Sequence, residues 1–229
     1  MAKAKWPTHY LAVSALTGRS RVLFLTGYDS FDAWEKDYVA TMKNSALSAM
    51  LDRAMVSDGD LLSDYDQSVG VYSEEQSLRA NGDLGKMRFF EISLYQVKPG
   101  HRDEWKQIVD LVKAAYDKIP DAHWATYEIA YGQQPGTTYV IFSAHKSASE
   151  IDHAFAEDKD FASAMGEDGM KKLRELESSA IETDQSNLFA FSPSMSYVSD
   201  DWIKDDPDFW KPKPMAEGMS KKPAEKPAQ

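Results

Sequence analysis

The chain contains no cysteine, no long apolar run and no excess of positive charge. Without cysteine it forms no disulfide, has no thiol nucleophile and cannot bind zinc through thiolates, although this does not identify its compartment. No apolar stretch approaches the roughly 20 residues that a membrane helix needs. The first residues, MAKAKWPTHY, lack the apolar segment of a signal peptide. We therefore expect a soluble protein without a membrane span.

The charge balance argues against one class of partner. The chain has 37 acidic residues against 26 lysines and arginines, which gives a formal net charge of −11. A protein this acidic repels phosphate backbones, so we expect no nucleic-acid partner. The hydrophobic content of 42% is enough for a core, and the length of 229 residues suits one large domain or two small ones.

The tripeptide Asp-Gln-Ser occurs twice, at residues 66–68 and 184–186, which are 118 positions apart. Other pairs of identical residues are also 118 positions apart, and no gap is needed to align them. These pairs fall at positions where a turn or the core of a fold restricts which residue is allowed. Trp6 matches Trp124, Val22 matches Val140, and Phe24 matches Phe142. The pattern predicts an internal duplication.

The second copy has the richer pattern of secondary structure. Its β-branched and aromatic runs predict strands, and its apolar residues at helical spacing predict helices. The resulting order, βαββαβ, is that of a ferredoxin-like unit. The predicted elements are a strand at 86–97, a helix at 99–119, a hairpin of strands 123–132 and 137–145, a broken helical stretch to about 182 and a strand at 186–192.

The first copy shows the same order from its middle onward, with a predicted hairpin, a helical stretch and a closing strand but no opening strand and helix. We predict an α+β protein in which two ferredoxin-like units, the first incomplete at its N-terminus, form a barrel-like architecture in one chain. The predicted divisions are 1–72 for the first repeat, 73–85 for a polar linker, 86–197 for the second repeat, 198–210 for a C-terminal arm and 211–229 for a disordered tail.

The missing elements lead to an expectation about the gene. Subtracting 118 from residue 86 gives −32, so the first copy has no counterpart of the opening strand and helix. We expect the natural product to begin about 30 or more residues upstream, with a segment resembling FFEISLYQVKPGHRDEW that could also have carried a signal peptide. The alternative is that another strand or a second molecule fills the gap, because exposed strand edges promote aggregation.

Five polar residues of the second copy are candidates for a ligand site. Successive side chains of a β-strand point to opposite faces, so Glu91, Ser93 and Tyr95 share one face of the first strand of the second copy. We expect this face to line the barrel interior. Glu128 and His145, on the neighbouring strands, are predicted to join them for proton transfer or for binding a polar ligand head. The alternative is an internal hydrogen-bonded network with His145 exposed at a strand end. The intervening apolar residues are expected under the helices: Phe90, Ile92 and Leu94.

The segment Glu91–Gly100, EISLYQVKPG, resembles the opening strand and turn of the NIPSNAP family, which is related to the antibiotic-biosynthesis-monooxygenase-like proteins among the dimeric α+β barrels. The resemblance implies two ferredoxin-like units whose sheets close into one barrel, either within a chain or between two molecules, so a homodimer is an open alternative. The chain departs from the family at Ser93, where the family often carries arginine, so a role that rests on this arginine does not carry over.

Other chemistry has little support in the sequence. No local His, Asp and Glu spacing matches a metal motif, and the Asn, Trp and His set that a haem-degrading relative would need is not found, so we predict no metal and no cofactor. Residues 199–212 combine five aspartates with Trp202, Phe209 and Trp210. They form either a cation or partner site, or an arm whose aromatic residues attach it to the barrel.

Two functions therefore remain open. The first is a barrel that binds a small apolar or aromatic molecule, with cofactor-independent oxygenase or isomerase chemistry. The second is a non-catalytic structural or interaction module whose site has degraded. A cavity of several hundred cubic ångströms lined by Glu91, Tyr95 or His145 favours the first, and a barrel packed solid with side chains favours the second.

Overall fold

The computed structural model describes residues 6–59, 61–80, 82–132 and 137–211. The strands are β1 (Leu11–Ala15), β2 (Val22–Leu25), β3 (Val69–Leu78), β4 (Phe89–Val97), β5 (Trp124–Tyr131), β6 (Thr137–His145) and β7 (Ile181–Phe191). The α-helices are α1 (Phe31–Lys43), α2 (Ser45–Gly59), α3 (Arg102–Tyr116), α4 (Ala148–Ala156), α5 (Asp158–Ala180), α6 (Asp200–Asp205) and α7 (Pro207–Trp210), and a 3₁₀ helix spans Leu84–Lys86. None of the helices within these residues is long and apolar enough to cross a membrane.

All seven strands join one curled antiparallel sheet in the order β2-β1-β7-β4-β6-β5-β3. Its centre, β7-β4-β6-β5, belongs to the second unit and has the strand order of a ferredoxin-like fold. Strand β4 is paired on both edges along its whole length, with β6 on one side and β7 on the other. The predicted βαββαβ unit is therefore present, with α3 after its first strand and α4 and α5 before its last.

The first half of the chain supplies the two ends of this sheet. Its elements β1, β2, α1, α2 and β3 follow the same order as β5, β6, α4, α5 and β7. Strand β1 pairs with β7, and β3 pairs with β5, so the first half flanks the second unit on both sides. This architecture confirms the predicted α+β fold class. The duplication itself remains a prediction.

Strand β3 is longer than the sequence predicts. Residues 73–85 are predicted as a linker, but β3 continues through the first of them to Leu78, with an irregularity after Ser73. Side chains hold this polar extension in place, since Ser77 Oγ accepts a bond from the Thr126 N–H and the Gln76 carbonyl accepts one from Trp124 Nε1, both at 2.9 Å. These partners are distant in sequence, so local polarity gave the wrong boundary.

The two faces of β4 are the reverse of those predicted. Phe90 and Ile92 do not lie under the helices but pack with Val13, Phe189 and Phe191 on the opposite face of the sheet. The face that carries Glu91, Ser93 and Tyr95 is the one that α3 and α5 cover. Both faces of this strand are covered in the fold, so the alternation of apolar and polar residues did not reveal which of them faces the helices.

The C-terminal arm attaches to the sheet through its aromatic residues, as the second of the two sequence interpretations predicts. Trp210 is buried, and its Nε1 donates a hydrogen bond of 2.7 Å to the Gly85 carbonyl. The Arg88 guanidinium pairs with Asp206 and lies over the Phe209 ring, 3.8 Å from its centroid. The predicted tail beyond Lys211 and the predicted turn at 133–136 lie outside the described residues.

Candidate functional site

A cavity of about 610 Å³ lies between the β4–β6 surface and the helices of the second unit. Its floor is the helix-facing side of β4 and β6, its roof is α3, and its rim is formed by the 121–124 segment, α4 and the junction of α4 with α5. Four of the five predicted ligand-site residues line it: Glu91, Ser93, Tyr95 and His145. These four residues thus line a cavity on the helix-covered side of the sheet, and not the barrel interior where the sequence analysis placed them.

The strand register fixes how these residues are spaced. Glu91 lies opposite Ser143, and Phe89 lies opposite His145, so His145 is the diagonal neighbour of Glu91, with Cβ atoms about 7–8 Å apart. Along β4, Tyr95 is four positions from Glu91 and six from Phe89, the partner of His145, which correspond to about 14 Å and about 20 Å at about 3.4 Å per residue. The cavity is therefore elongated, with an imidazole and a carboxylate at one end and a phenol at the other.

His145 has an unpaired ring nitrogen at its end of the cavity. It is buried, and its Nε2 atom has no hydrogen-bond partner. Burial lowers the pKa of the imidazole below its ordinary 6.5, and the neighbouring His123, whose ring centroid is 6.5 Å away, lowers it further. The neutral imidazole can therefore accept a proton at Nε2 when Nδ1 carries the hydrogen. The alternative of an exposed His145 is wrong.

His123 lies on the rim of the cavity next to His145, where it contacts two backbone carbonyl groups. Its two ring nitrogens lie 2.8 Å from the carbonyl oxygens of Asp121 and Ala144. A carbonyl oxygen accepts but cannot donate, so each contact is a hydrogen bond when the ring nitrogen involved carries a hydrogen. The proximity of His123 also lowers the pKa of His145, which favours the neutral, proton-accepting state of His145.

Aromatic side chains form much of the remaining wall. At the end near His145, Tyr116 packs edge-on against Trp124, with ring centroids 5.5 Å apart. At the other end, Trp105 stacks on Tyr139 at 4.6 Å and also contacts Tyr95. Such surfaces bind flat apolar groups, and they leave the few polar atoms to fix the orientation of a ligand.

Gln76 joins these two aromatic groups and was missed by the sequence analysis. Its side-chain Oε1 accepts a bond from Trp105 Nε1, and its carbonyl accepts one from Trp124 Nε1, both at 2.9 Å. Gln76 also lines the cavity. It belongs to the part of β3 that was predicted as linker, so the first half of the chain contributes to a site in the second unit.

Burial and neighbouring carboxylates raise the pKa of two further groups of the wall, Tyr95 and Glu177. Burial, followed by the negative charges of Asp184, Glu177 and Glu91, raises the pKa of Tyr95 to about 12. Burial and the nearby Asp184 also raise the pKa of Glu177 above its ordinary value. Tyr95 is thus a hydrogen-bond donor at neutral pH rather than a base.

Ser93 and Glu128 are engaged elsewhere. Ser93 Oγ lies 2.6 Å from Ser186 Oγ across the β4–β7 pair. Glu128 does not line the cavity, because its Oε1 accepts a bond of 2.6 Å from Arg102 at the start of α3. The prediction that Glu128 joins the other four residues is therefore wrong, since an ion pair holds it outside.

Three groups on the rim have the spacing of a metal-binding set. The ligand atoms of Asp121, His153 and Glu157 lie within 4.8 Å of one another. Asp121 and His153 are exposed, and Glu157 is partly buried. No local motif marks this set because Asp121 follows α3, whereas the other two residues belong to α4 and its end. These are the described residues that could hold a divalent cation.

Comparison with known proteins supports the fold and leaves the family open. No model of a protein family matches the chain, and no curated protein matches it. Among solved structures it is similar to an anthrone oxidase-like protein, with 12% identity, a TM-score of 0.50, and coverage of 81% of this chain and 76% of that one. It is also similar to a protein from Fusobacterium nucleatum subsp. nucleatum provisionally described as a monooxygenase, at 10% identity, TM-score 0.45, and coverage of 80% and 75%. At such identities the first similarity shows the fold alone, and the NIPSNAP resemblance stays a prediction.

Proposed function

We propose that the cavity binds a small aromatic molecule with an acidic hydroxyl group or an activated C–H bond. The observation that carries the proposal is a cavity of about 610 Å³ that combines an aromatic wall with a buried, unpaired imidazole nitrogen. Ligand pockets of this size have mostly apolar walls and few polar groups. A ligand of two or three fused rings reaches from His145 along the wall but not to Tyr95, so the polar group of the ligand binds at the His145 end.

His145 then acts as the proton acceptor. A phenol or an activated methylene loses its proton to Nε2, and the resulting anion lies next to the imidazolium that forms at His145, which stabilises it. With dioxygen as the co-substrate, a cofactor-independent oxygenation follows: the carbanion transfers electrons to dioxygen, one oxygen atom replaces two hydrogens as a carbonyl group, and the other leaves as water. This is the reaction class that we propose for the site.

The second candidate function is a binding module without catalysis. It is favoured by the polar groups that are already paired, since Ser93 contacts Ser186 and both nitrogens of His123 face carbonyl groups. In this case the cavity binds the same aromatic ligands, but no proton transfer follows.

Calorimetric titration with 2-naphthol tests the binding, and anthrone in oxygenated buffer tests the chemistry. We expect 2-naphthol to bind, His145→Gln to weaken its binding about tenfold, and Val112→Trp, which fills the cavity, to abolish it. The matched control is His9→Gln, because His9 is exposed and does not line the cavity.

Oxygen consumption separates the two candidates. The catalytic function is supported if the oxidation of each anthrone molecule consumes one dioxygen molecule and if His145→Gln lowers the reaction rate more than it lowers the affinity for the ligand. Binding without oxygen consumption supports the binding module. Binding of 2-naphthol that is equal in the original chain and in Val112→Trp contradicts both, because the ligand is then elsewhere.

A further inference from the structure

The sheet ends in two strands that have unpaired edges. Within the described residues, β2 hydrogen-bonds only to β1, and β3 only to β5. Their counterparts in the second unit, β6 and β7, each have a second neighbour, and in both cases this neighbour is β4. The two open edges are therefore the edges that an equivalent of β4 would pair with.

Two side chains of the first half, one on α2 and one on β3, are exposed where their counterparts in the second unit are buried. At the offset of 118 positions, Leu173 of α5 corresponds to Met55 of α2, and Phe189 of β7 corresponds to Val71 of β3. Leu173 is 5% exposed and Met55 66%, and Phe189 is 0% exposed and Val71 47%. In the second unit, α3 packs in the same cluster as Leu173, and β4 pairs with the strand of Phe189. The equivalent positions are thus buried in the second unit and exposed in the first half of the chain.

The first half exposes further large apolar side chains. Phe24 on β2 is exposed, and α2 buries Leu47 as its one buried residue in the described part of the chain. Exposed large apolar side chains are a common feature of interaction sites, and an open edge strand adds unpaired N–H and C=O groups to them. We define this surface as the open face: the free edges of β2 and β3 and the exposed side of α2.

We propose that the open face binds a polypeptide segment that forms a β-strand followed by an amphipathic helix and that is not among these 229 residues. The strand pairs with β2 on one edge and β3 on the other, and the helix covers Met55 on α2. This is strand addition to a sheet edge, combined with the packing of a helix. It goes beyond the proposed function and does not depend on it.

The second unit specifies the chemistry of this segment. Its own strand–helix pair, β4 and α3, has apolar residues on both sides of the strand and buries Trp105, Ile108 and Val109 along one side of the helix. A second copy of the chain is not favoured as the occupant, because in that copy β4 is already paired on both edges. The segment therefore resembles β4–α3 in pattern but comes from outside the described fold.

A synthetic peptide with the sequence of residues 86–117 serves as the probe, and hydrogen exchange in the full chain provides the measurement. We expect saturating peptide to slow amide exchange at least tenfold in both β2 and β3 and to leave β6 unchanged. A control peptide that carries Ile92→Pro cannot pair along the strand and should give no protection.

A pair of variants locates the contact. Met55→Asp lies on the open face, so we expect it to abolish protection by the peptide while the free chain keeps its melting temperature. Phe155→Asp, at an equally exposed position on α4, should leave protection intact. Circular dichroism shows that both variants are folded before the titration.

Three results overturn the proposal. The first is unchanged exchange in β2 and β3 at saturating peptide. The second is equal protection by the control peptide. The third is a dimeric mass in sedimentation with both strands already protected before peptide is added, which would mean that a second copy occupies the open face.

Discussion

At the scale of single residues, His145 combines burial with a free nitrogen, which is the least expected state for an imidazole in a protein interior. A buried polar atom without a partner is destabilising, so the fold tolerates it where it has a use or where a ligand completes it. The same burial lowers the pKa of His145, which links the site to the stability of the protein through pH.

The free energy of unfolding should depend on pH through His145. Its folded-state pKa lies below the ordinary 6.5, so its stabilising contribution is complete above that value and is lost as the pH falls through the folded-state pKa. We expect urea unfolding of His145→Gln to show a smaller loss of stability between about pH 7 and about pH 5 than the original chain. His9→Gln is the exposed control, and an unchanged slope in His145→Gln would contradict the account.

Gly18 is a second residue whose conformation leads to a prediction. Its φ of +71° is unfavourable for other residues, and a Cβ atom built there would lie 2.1 Å from Oδ1 of the buried Asn187. We expect Gly18→Ala to destabilise the chain by about 1–3 kcal/mol in urea unfolding. Gly59→Ala, at a helical position with no atom within 4 Å, should be neutral or slightly stabilising. Equal effects of the two changes would refute the strain argument.

At the scale of elements, β3 and the C-terminal arm connect parts of the fold that are distant in sequence. The sequence predicted both elements but not their partners. The order of strands and helices followed from periodicity, because each element has an apolar side with a regular repeat. The extension of β3 to Leu78 and the role of Gln76 could not be predicted, since the residues are polar and their partners lie about 30 or more positions away.

Gln76 should stabilise the aromatic wall. Gln76→Ala leaves the Trp105 indole N–H without its acceptor in a buried position, which costs about 1–3 kcal/mol. Gln107→Ala, on the exposed side of α3, is the control and should change stability by less than about 0.5 kcal/mol. Thermal unfolding of the two variants compares them directly, and equal melting temperatures would show that the Gln76 contact contributes nothing.

The C-terminal arm should depend on Trp210. This residue is buried against Phe191, Trp202 and Phe209, and truncation to alanine leaves a large cavity. We expect Trp210→Ala to cost about 3–5 kcal/mol and to release the arm to limited proteolysis. Trp34→Ala, at a half-exposed position on α1, should have little effect on either measurement. Resistance of the Trp210→Ala arm to protease would contradict the prediction.

At the scale of the whole molecule, the sheet has two different surfaces. One side is packed with Phe90, Ile92 and Phe189, and the other holds a cavity under α3 and α5. Alternation along β4 predicted that Glu91, Ser93 and Tyr95 share a side, and they do. It could not predict which side the helices cover, because that depends on the path of the chain after the strand and not on the strand itself.

The rim of the cavity shows the same limit of sequence reasoning. Asp121, His153 and Glu157 come together through the packing of α4 against the loop after α3, and their separation in sequence conceals this. Residues 91–97 of the segment that resembles a known family lie on β4, which forms part of the cavity floor. The partners of that strand in the site, among them His123 and Trp124, became apparent only in three dimensions.

The most direct test of the central claim is a crystal structure of the full chain soaked with 2-naphthol. We expect electron density for the ligand between the β4–β6 surface and α3, with its hydroxyl oxygen about 2.6–3.2 Å from His145 Nε2. Density on the opposite side of the sheet, among Phe90 and Phe189, or a ligand whose hydroxyl points away from His145, would contradict it.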